Sequence, residues 1–253
     1  MSKRYENELV SVIMPCFNSA DVIGASIESV LTQTYQNFEL FIIDDFSTDR
    51  SLEVIAPYLQ DSRVMLLAKN ENHGVARARN DGLARSSGRY IAFLDSDDLW
   101  VPEKLATQLA DMRRNKAVLS FAAYETFHER PSNRLKTVRV PRSINYTQLL
   151  RNTIIGCLTV VVDRKQTGDF QMPDLAGGED TATWLNILWQ HGTAYGIDKP
   201  LAYYRVSGAS LSGNKLQMVR RTWRMYRETQ RLSIFSTCIC FSFYIKNAIS
   251  KRI

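Results

Sequence analysis

Five carboxylates stand directly behind two short apolar runs: Asp44 and Asp45 follow Phe38–Ile43, and Asp95, Asp97 and Asp98 follow Tyr90–Leu94. Like charges gathered in one place repel unless a cation or a donor-rich ligand sits among them. Cys16, Phe17 and Asn18 follow a third apolar run, Val10–Pro15, and Lys69 and Asn70 follow a fourth, Arg63–Leu67. Polar groups therefore collect wherever such a run stops. Asp and Asn also cap helices and open turns, and Asp49 is read in that way.

The chemistry open to such a cluster is narrowed by what the chain lacks. No G-x-G-x-x-G follows the first run and no G-x-x-x-x-G-K-S/T occurs, so backbone N–H groups have neither familiar way to cradle a diphosphate. The other route is a divalent cation held by carboxylates and bridging phosphate oxygens, which suits Mg²⁺ or Mn²⁺ because both prefer hard oxygen ligands. The run from Asp95 to Asp98 (DSDD) supplies those ligands. His73, His128 and His191 are scattered and share no ligand spacing. Cys16, Cys157, Cys238 and Cys240 are too few and too irregular for a disulfide framework or a zinc site and are read as reduced thiols.

These groups need a scaffold that brings four run ends to one place. Short runs of Val, Ile, Leu and Phe alternating with longer amphipathic stretches predict βαβ units and a mainly parallel sheet flanked by helices, an α/β fold. Ile23, Ile27, Val30 and Leu31 form the core stripe of a first helix. A second helix begins near Gly74 and closes at Ser86, Ser87 and Gly88, and Pro102 opens a third that turns Leu105, Leu109 and Met112 inward. The stretch from Glu125 to Ser143 is polar, basic and aperiodic, and reads as a loop or boundary. Beyond it come a strand at Leu158–Val162 and a helix from Asp180 to about His191, stopped by Gly192. In an open parallel sheet ligands bind outside the carboxyl ends of the strands, so the polar run ends are expected to line a single cleft.

Bulk properties agree with a soluble globular chain: 45% hydrophobic and 23% charged residues exclude disorder, collagen and a multi-span membrane protein. Charge is uneven within the net +6, with 10 Lys/Arg against 17 Asp/Glu in residues 1–112 and 22 against 9 in residues 113–253. An acidic half suits a metal or neutral-ligand site, and a basic half suits a phosphate-bearing partner or an anionic membrane surface. The polar N-terminus, Met1 to Leu9, carries no secretory signal, so the catalytic part is expected in the cytoplasm.

Val10 to Asn18 (VSVIMPCFN), Ile43 to Asp49 (IDDFSTD), Asn72 to Gly82 (NHGVARARNDG), Phe93 to Trp100 (FLDSDDLW) and Gly178 to Trp184 (GEDTATW) resemble, in order, the motifs of family 2 glycosyltransferases with the GT-A fold. Each motif alone is weak, but five in register cover most of residues 8–210. The resemblance divides the chain into a nucleotide-sugar-binding half (8–112), an acceptor-binding half of the same domain (113–212) and a basic helical tail (213–253). It implies that Pro15 and Asn18 shape the nucleotide pocket and that Asp45 accepts a hydrogen bond from the base, usually uracil. It sets Arg77 near the base or diphosphate, and Asp95 and Asp97 against ribose and metal. Asp98 is a further metal ligand, and the extra Asp leaves open which of Asp97 and Asp98 binds the cation directly. Asp180 matches the catalytic base of inverting members, beside Glu179 on the acceptor side. There, at a helix N-terminus, the dipole would keep it ionised, and its competence would come from position more than from a raised pKa. Trp184 either stacks on an acceptor sugar or fills the core. Tyr203, Tyr204, Arg205, Ser210 and Ser212 resemble a segment that closes over the diphosphate, with Arg205 as a phosphate ligand.

The reaction expected of such a chain is transfer of a single sugar, because the Q-x-x-R-W of processive synthases is absent. The donor would be a nucleotide sugar, usually a UDP-sugar, carrying a hexosyl or N-acetylhexosaminyl group. The acceptor would be a saccharide on a polyprenyl diphosphate, in bacterial cell-surface polysaccharide synthesis such as that of O-antigen or teichuronic acid. Residues Arg220 to Arg231 carry five arginines and one glutamate among Trp223, Met225 and Tyr226, and Ile234 to Ile245 is largely apolar but too short to span a bilayer. The tail reads as an Arg-rich surface helix meeting the cytoplasmic face of an anionic membrane, or else as a helix packed on the protein's own core. A homo-oligomer is possible on this reading. An Asp-nucleophile phosphatase would need Thr or Val where Asp98 and Leu99 stand, and a sugar nucleotidyltransferase would need a Gly-rich, Arg-containing loop where PCFNSAD stands. A non-catalytic RNA-binding module would need aromatic platforms on strands, so no nucleic acid partner is expected.

Overall fold

Val10, Val12 and Met14 turn to one face of the first strand and Ile13 to the other, and both faces are sealed from water. Such double burial requires helices on both sides of the sheet. The computed structural model describes residues 5–129, 131–175, 177–206 and 215–250. In chain order the first half holds β1 (Glu6–Cys16), α1 (Ile23–Leu31), β2 (Phe38–Asp44), α2 (Ser51–Ile55), β3 (Val64–Ala68), α3 (Val75–Arg85), β4 (Gly88–Phe93), β5 (Leu99–Trp100) and α4 (Lys104–Asn115). The second half holds β6 (Leu119–Phe127), β7 (Arg134–Val138), β8 (Ser143–Asn145), α5 (Tyr146–Arg151), β9 (Val161–Asp163), α6 (Arg164–Thr167), α7 (Glu179–His191) and β10 (Thr193–Arg205). The tail holds α8 (Lys215–Arg224) and α9 (Ile234–Ser250).

One sheet runs β3-β2-β1-β4-β9-β6-β10-β5, with β7 on β6 and β8 on β10. It crosses the expected 112/113 division without a break. The first four strands are wholly parallel, and β9 enters antiparallel between β4 and β6. Register sets Cys16 level with Asp44 and Asp44 level with Ala68, so the loops after β1, β2 and β3 leave from one edge. Between β1 and β4 the strand order reverses direction, which makes a crevice outside their carboxyl ends.

Helices α1 and α4 cover one face through Ile23, Ile27, Val30, Leu105, Leu109 and Met112, while α3 and α7 cover the other through Leu83, Trp184, Leu185 and Leu188. Two expectations need correction. Residues 125–143 are not a loop: β6 runs on to Phe127 and β7 returns antiparallel to it. Leu158–Val162 is not a single strand, because Cys157–Thr159 forms a 3₁₀ turn before β9 begins at Val161.

Candidate active site

Each loop at the crevice is tied to its neighbour by short polar contacts, which explains why small polar residues follow the strands. Asn18, in the left-handed region at φ 49, accepts from Thr48 N at 2.8 Å, and its own N–H donates to Ser47 Oγ at 2.9 Å. Ser19 Oγ and Ser96 Oγ lie 2.8 Å apart, joining the loop after β1 to the loop after β4. Pro15 is buried as the penultimate residue of β1. Asp49 accepts from Ala20 N at 3.0 Å and Ser51 N at 2.9 Å, so it makes the turn ahead of α2.

Asp45 is 3% exposed and accepts from Gly74 N at 2.7 Å and His73 N at 3.1 Å, with Lys69 Nζ at 3.0 Å. It caps the start of α3, where Gly74 takes φ 85 to turn its N–H inward. Arg77, one turn into α3, pairs with Asp174 at 2.7 Å near the surface. The loop after β3 and the loop before α7 are thus drawn toward the same crevice. Phe17 and Phe46, half-exposed, stand beside Asn18 and Asp45, and Phe46 takes φ 68.

The run from Asp95 to Asp98 splits by depth. Asp98 is 1% exposed, its Oδ1 accepts from Arg205 N at 2.9 Å, and burial, then Asp97 and Asp95, push its carboxyl well above the ordinary carboxylate range. Asp97 is half-buried, and burial followed by Asp95 raises it also, with Arg205 offsetting part. The Arg205 guanidinium donates to main-chain oxygens, Asp97 O at 2.8 Å and Glu129 O at 3.0 Å, and stacks over Phe127 at 4.6 Å. It braces the acidic loop. Ser210 and Ser212 lie outside the described residues.

Sequence reasoning missed Arg79, which joins the two acidic regions. It is 3% exposed, with Nη2 2.6 Å from Asp95 Oδ1 and Nη1 2.7 Å from Glu179 Oε1, and it stays charged because these acids and Asp180 surround it. Glu179 therefore turns its carboxylate to Arg79 rather than to open space. Asp180, at the N-terminus of α7, is pushed up to about 6 by burial and by Glu179, with Asp95 adding to the repulsion and Arg79 opposing it. The expected dominance of the helix dipole does not hold, since desolvation beside two acids outweighs it. Trp184 also departs from the acceptor-stacking expectation: it is 0% exposed, with its ring 5.6 Å from Phe93, so it fills the core.

Among the described residues, no group of three or more His, Cys, Asp or Glu forms a cation cage by itself. The donors present nonetheless suit a hard divalent cation. Asp97 offers a carboxylate whose charge the protein only partly offsets, with Asp98 behind it, and Mg²⁺-type sites are commonly completed by substrate phosphates and water.

A curled, mostly parallel sheet with helices on both faces is the fold of the GT-A glycosyltransferases. S. aureus TarS, solved in complex with UDP-GlcNAc, shares this fold with a TM-score of 0.73 over 95% of this chain and 72% of that one, at 18% identity. The family described as "Glycosyl transferase family 2" matches residues 11–165. A Bacillus subtilis (strain 168) protein named for glycosyl transfer in teichuronic acid biosynthesis, TuaG, is 43% identical over 97% of this chain and 98% of its own. The Escherichia coli protein named UDP-Glc:alpha-D-GlcNAc-diphosphoundecaprenol beta-1,3-glucosyltransferase WfgD is 40% identical over 86% of this chain and 85% of its own. The chain belongs to glycosyl transferase family 2 and is a glycosyltransferase.

Proposed function

We propose that the enzyme transfers one hexosyl or N-acetylhexosaminyl group, with inversion, from a UDP-sugar to a hydroxyl of a saccharide carried on a polyprenyl diphosphate. The reaction belongs to cell-surface polysaccharide synthesis at the cytoplasmic face of a membrane. Support for donor and acceptor comes from relatives of nearly equal length whose names specify UDP-glucose, a diphosphoundecaprenol acceptor and teichuronic acid. The observation that carries the mechanism is the chain Asp95–Arg79–Glu179, which brings the donor-side acids to the helix end bearing Asp180.

On this reading the acceptor hydroxyl donates its proton to Asp180 while its oxygen attacks the anomeric carbon from the face opposite the diphosphate. The new C–O bond forms as the bond to the diphosphate breaks, and the electron pair leaves with UDP. A carboxyl at about 6 is mostly ionised at neutral pH yet basic enough to take the proton late in the step. Asp95 meets the ribose, and Asn18, Pro15 and Asp45 shape the base pocket. Arg77 and Arg205 border the diphosphate, and Glu179 holds the acceptor side through Arg79. Asp97, backed by Asp98, would hold Mn²⁺ or Mg²⁺, which as a Lewis acid stabilises negative charge on a departing diphosphate.

The deciding experiment incubates the protein with a panel of UDP-sugars, Mn²⁺ or Mg²⁺, and synthetic lipid-diphosphate saccharides. Product mass gives the sugar and the number added, and the anomeric coupling constant gives the stereochemistry. One added sugar with inverted configuration is expected; retention, polymer, or hydrolysis without transfer refutes the reading.

A further inference from the structure

The tail meets one of the two readings its sequence allowed, since part of it packs on the protein's own core. Of Trp223, Met225 and Tyr226, only Trp223 is exposed, at 36%; Met225 and Tyr226 are 2% and 0% exposed in a π-turn after α8, and Tyr226 OH donates to Leu150 O at 2.5 Å. Asn247 Nδ2 donates to Arg151 O at 2.8 Å from the far part of α9. The segment is thus pinned to the protein at both ends, and what it presents outward is a fixed surface.

At 3.6 residues per turn, α9 turns Thr237, Cys240, Phe241, Tyr244 and Asn247 toward the protein. The opposite half carries Ile234, Phe235, Cys238, Ile239, Ser242, Phe243, Ile245 and Lys246, of which six are apolar. Ile234 is 65% exposed, Phe235 76% and Ile245 41%. A helix on a water-facing surface should be polar on that half, and a helix apolar all round is a buried one. Trp189 on α7, 73% exposed, packs edge-on against Tyr146 of α5, the helix on which α9 rests. No helix among the described residues is long and apolar enough to cross a membrane, and Ile234, Phe235, Ile239, Phe243 and Ile245 stay exposed among those residues.

We infer that the outward face of α9 docks flat on an anionic lipid bilayer. Residues 218–247 hold six basic side chains, Arg220, Arg221, Arg224, Arg227, Arg231 and Lys246, against one acid, Glu228. Arg151 stacks on Phe243 at 5.0 Å and adds charge at the patch itself. With Lys246 on the outward half itself and Arg151 over Phe243, the apolar face carries its own cations, which matches acyl chains beneath anionic headgroups. A second copy of the chain fits poorly, because a two-fold contact would set these cations against themselves. The tail reaches the chemistry through α8 and not through the docked face itself: the Arg221 side chain packs on Gly177, with its Cδ 2.9 Å from where a Cβ on that residue would stand, and Gly177 precedes Glu179 and Asp180 by two and three residues. The benefit of docking, delivery of a lipid-borne acceptor to Asp180, rests on the proposed function; the docking itself does not.

The test is flotation of the full chain with phosphatidylcholine vesicles, with and without phosphatidylglycerol, alongside transfer to a short-chain, water-soluble acceptor. Wild type should float with the anionic vesicles only, and less at high salt. Phe235→Glu with Ile239→Glu, both on the outward face, should abolish flotation while circular dichroism and transfer to the soluble acceptor stay unchanged. Arg220→Gln with Arg231→Gln should weaken binding about 25-fold, at about fivefold per arginine. Failure of wild type to float with anionic vesicles overturns the inference, as does undiminished flotation of the glutamate pair. A vesicle-free dimer that the glutamate pair dissociates, with no flotation of wild type, gives the face to a second copy and overturns it too. Absence of transfer to any acceptor with flotation intact would refute the proposed function and leave the docking standing.

Discussion

Asp180→Asn should make the protein more stable and inactive at once. The native carboxyl is lifted from its ordinary 3.8 to about 6, so the folded state prefers it protonated. A group raised in this sense costs stability above its folded pKa, and the cost disappears as pH falls below the unfolded value. At about 1.36 kcal/mol per pH unit, holding it ionised at pH 7.5 costs about 3 kcal/mol. Asparagine keeps the shape and removes the charge, so it should recover up to that amount, at about 2–4 °C in Tm per kcal/mol. The gain should shrink between pH 6 and pH 4 and vanish below. Loss of the base should cost roughly 10²–10⁴ in kcat with UDP affinity retained, and wild-type kcat/KM should fall tenfold per pH unit below about 6. Thermal unfolding of both proteins at pH 7.5 and pH 4, paired with transfer rates, makes the check. An Asn variant that melts lower at pH 7.5, or one that transfers at the wild-type rate, would refute the reasoning.

Arg79→Met should leave Asp95 and Glu179 facing one another unneutralised and cost about 3–5 kcal/mol, read by urea unfolding, with Arg79→Lys recovering part of it. Asp97→Asn should weaken cation-dependent UDP binding by calorimetry with little change in Tm. Asp98→Ala should lower Tm by orphaning the Arg205 N–H, at about 1–3 kcal/mol. Trp184→Phe should lower Tm through a cavity beside Phe93 yet leave the acceptor KM unchanged, because the ring never meets solvent.

How much the sequence made legible depends on the reach of each signal. The runs that became β1, β2 and β4 are largely apolar, because a strand buried on both faces has no choice, the edge strand β3 is apolar though mostly half-exposed, and α3, α4 and α7 carry local start and stop residues. β7 had no such signal. Its residues Arg134 to Val138 are exposed or half-buried, and only the ladder to β6 makes them a strand. Trp184 on a helix looks the same whether it faces a sugar or Phe93, so its role waited on tertiary packing. Arg79 is different, because a signal was present and went unused. It stands three residues after Ala76 and three and four before Gly82 and Leu83, all of them buried, so a cation occupies the middle of the stripe that faces the sheet. A guanidinium buried there must meet acids from outside its own helix, and the chain offers two unplaced sets, one behind β4 and one at the head of α7. Joining those sets through Arg79 explains how Asp95, Glu179 and Asp180 can share one small volume. Without that charge, their repulsion would drive the loop after β4 and the start of α7 apart, and base and donor site with them.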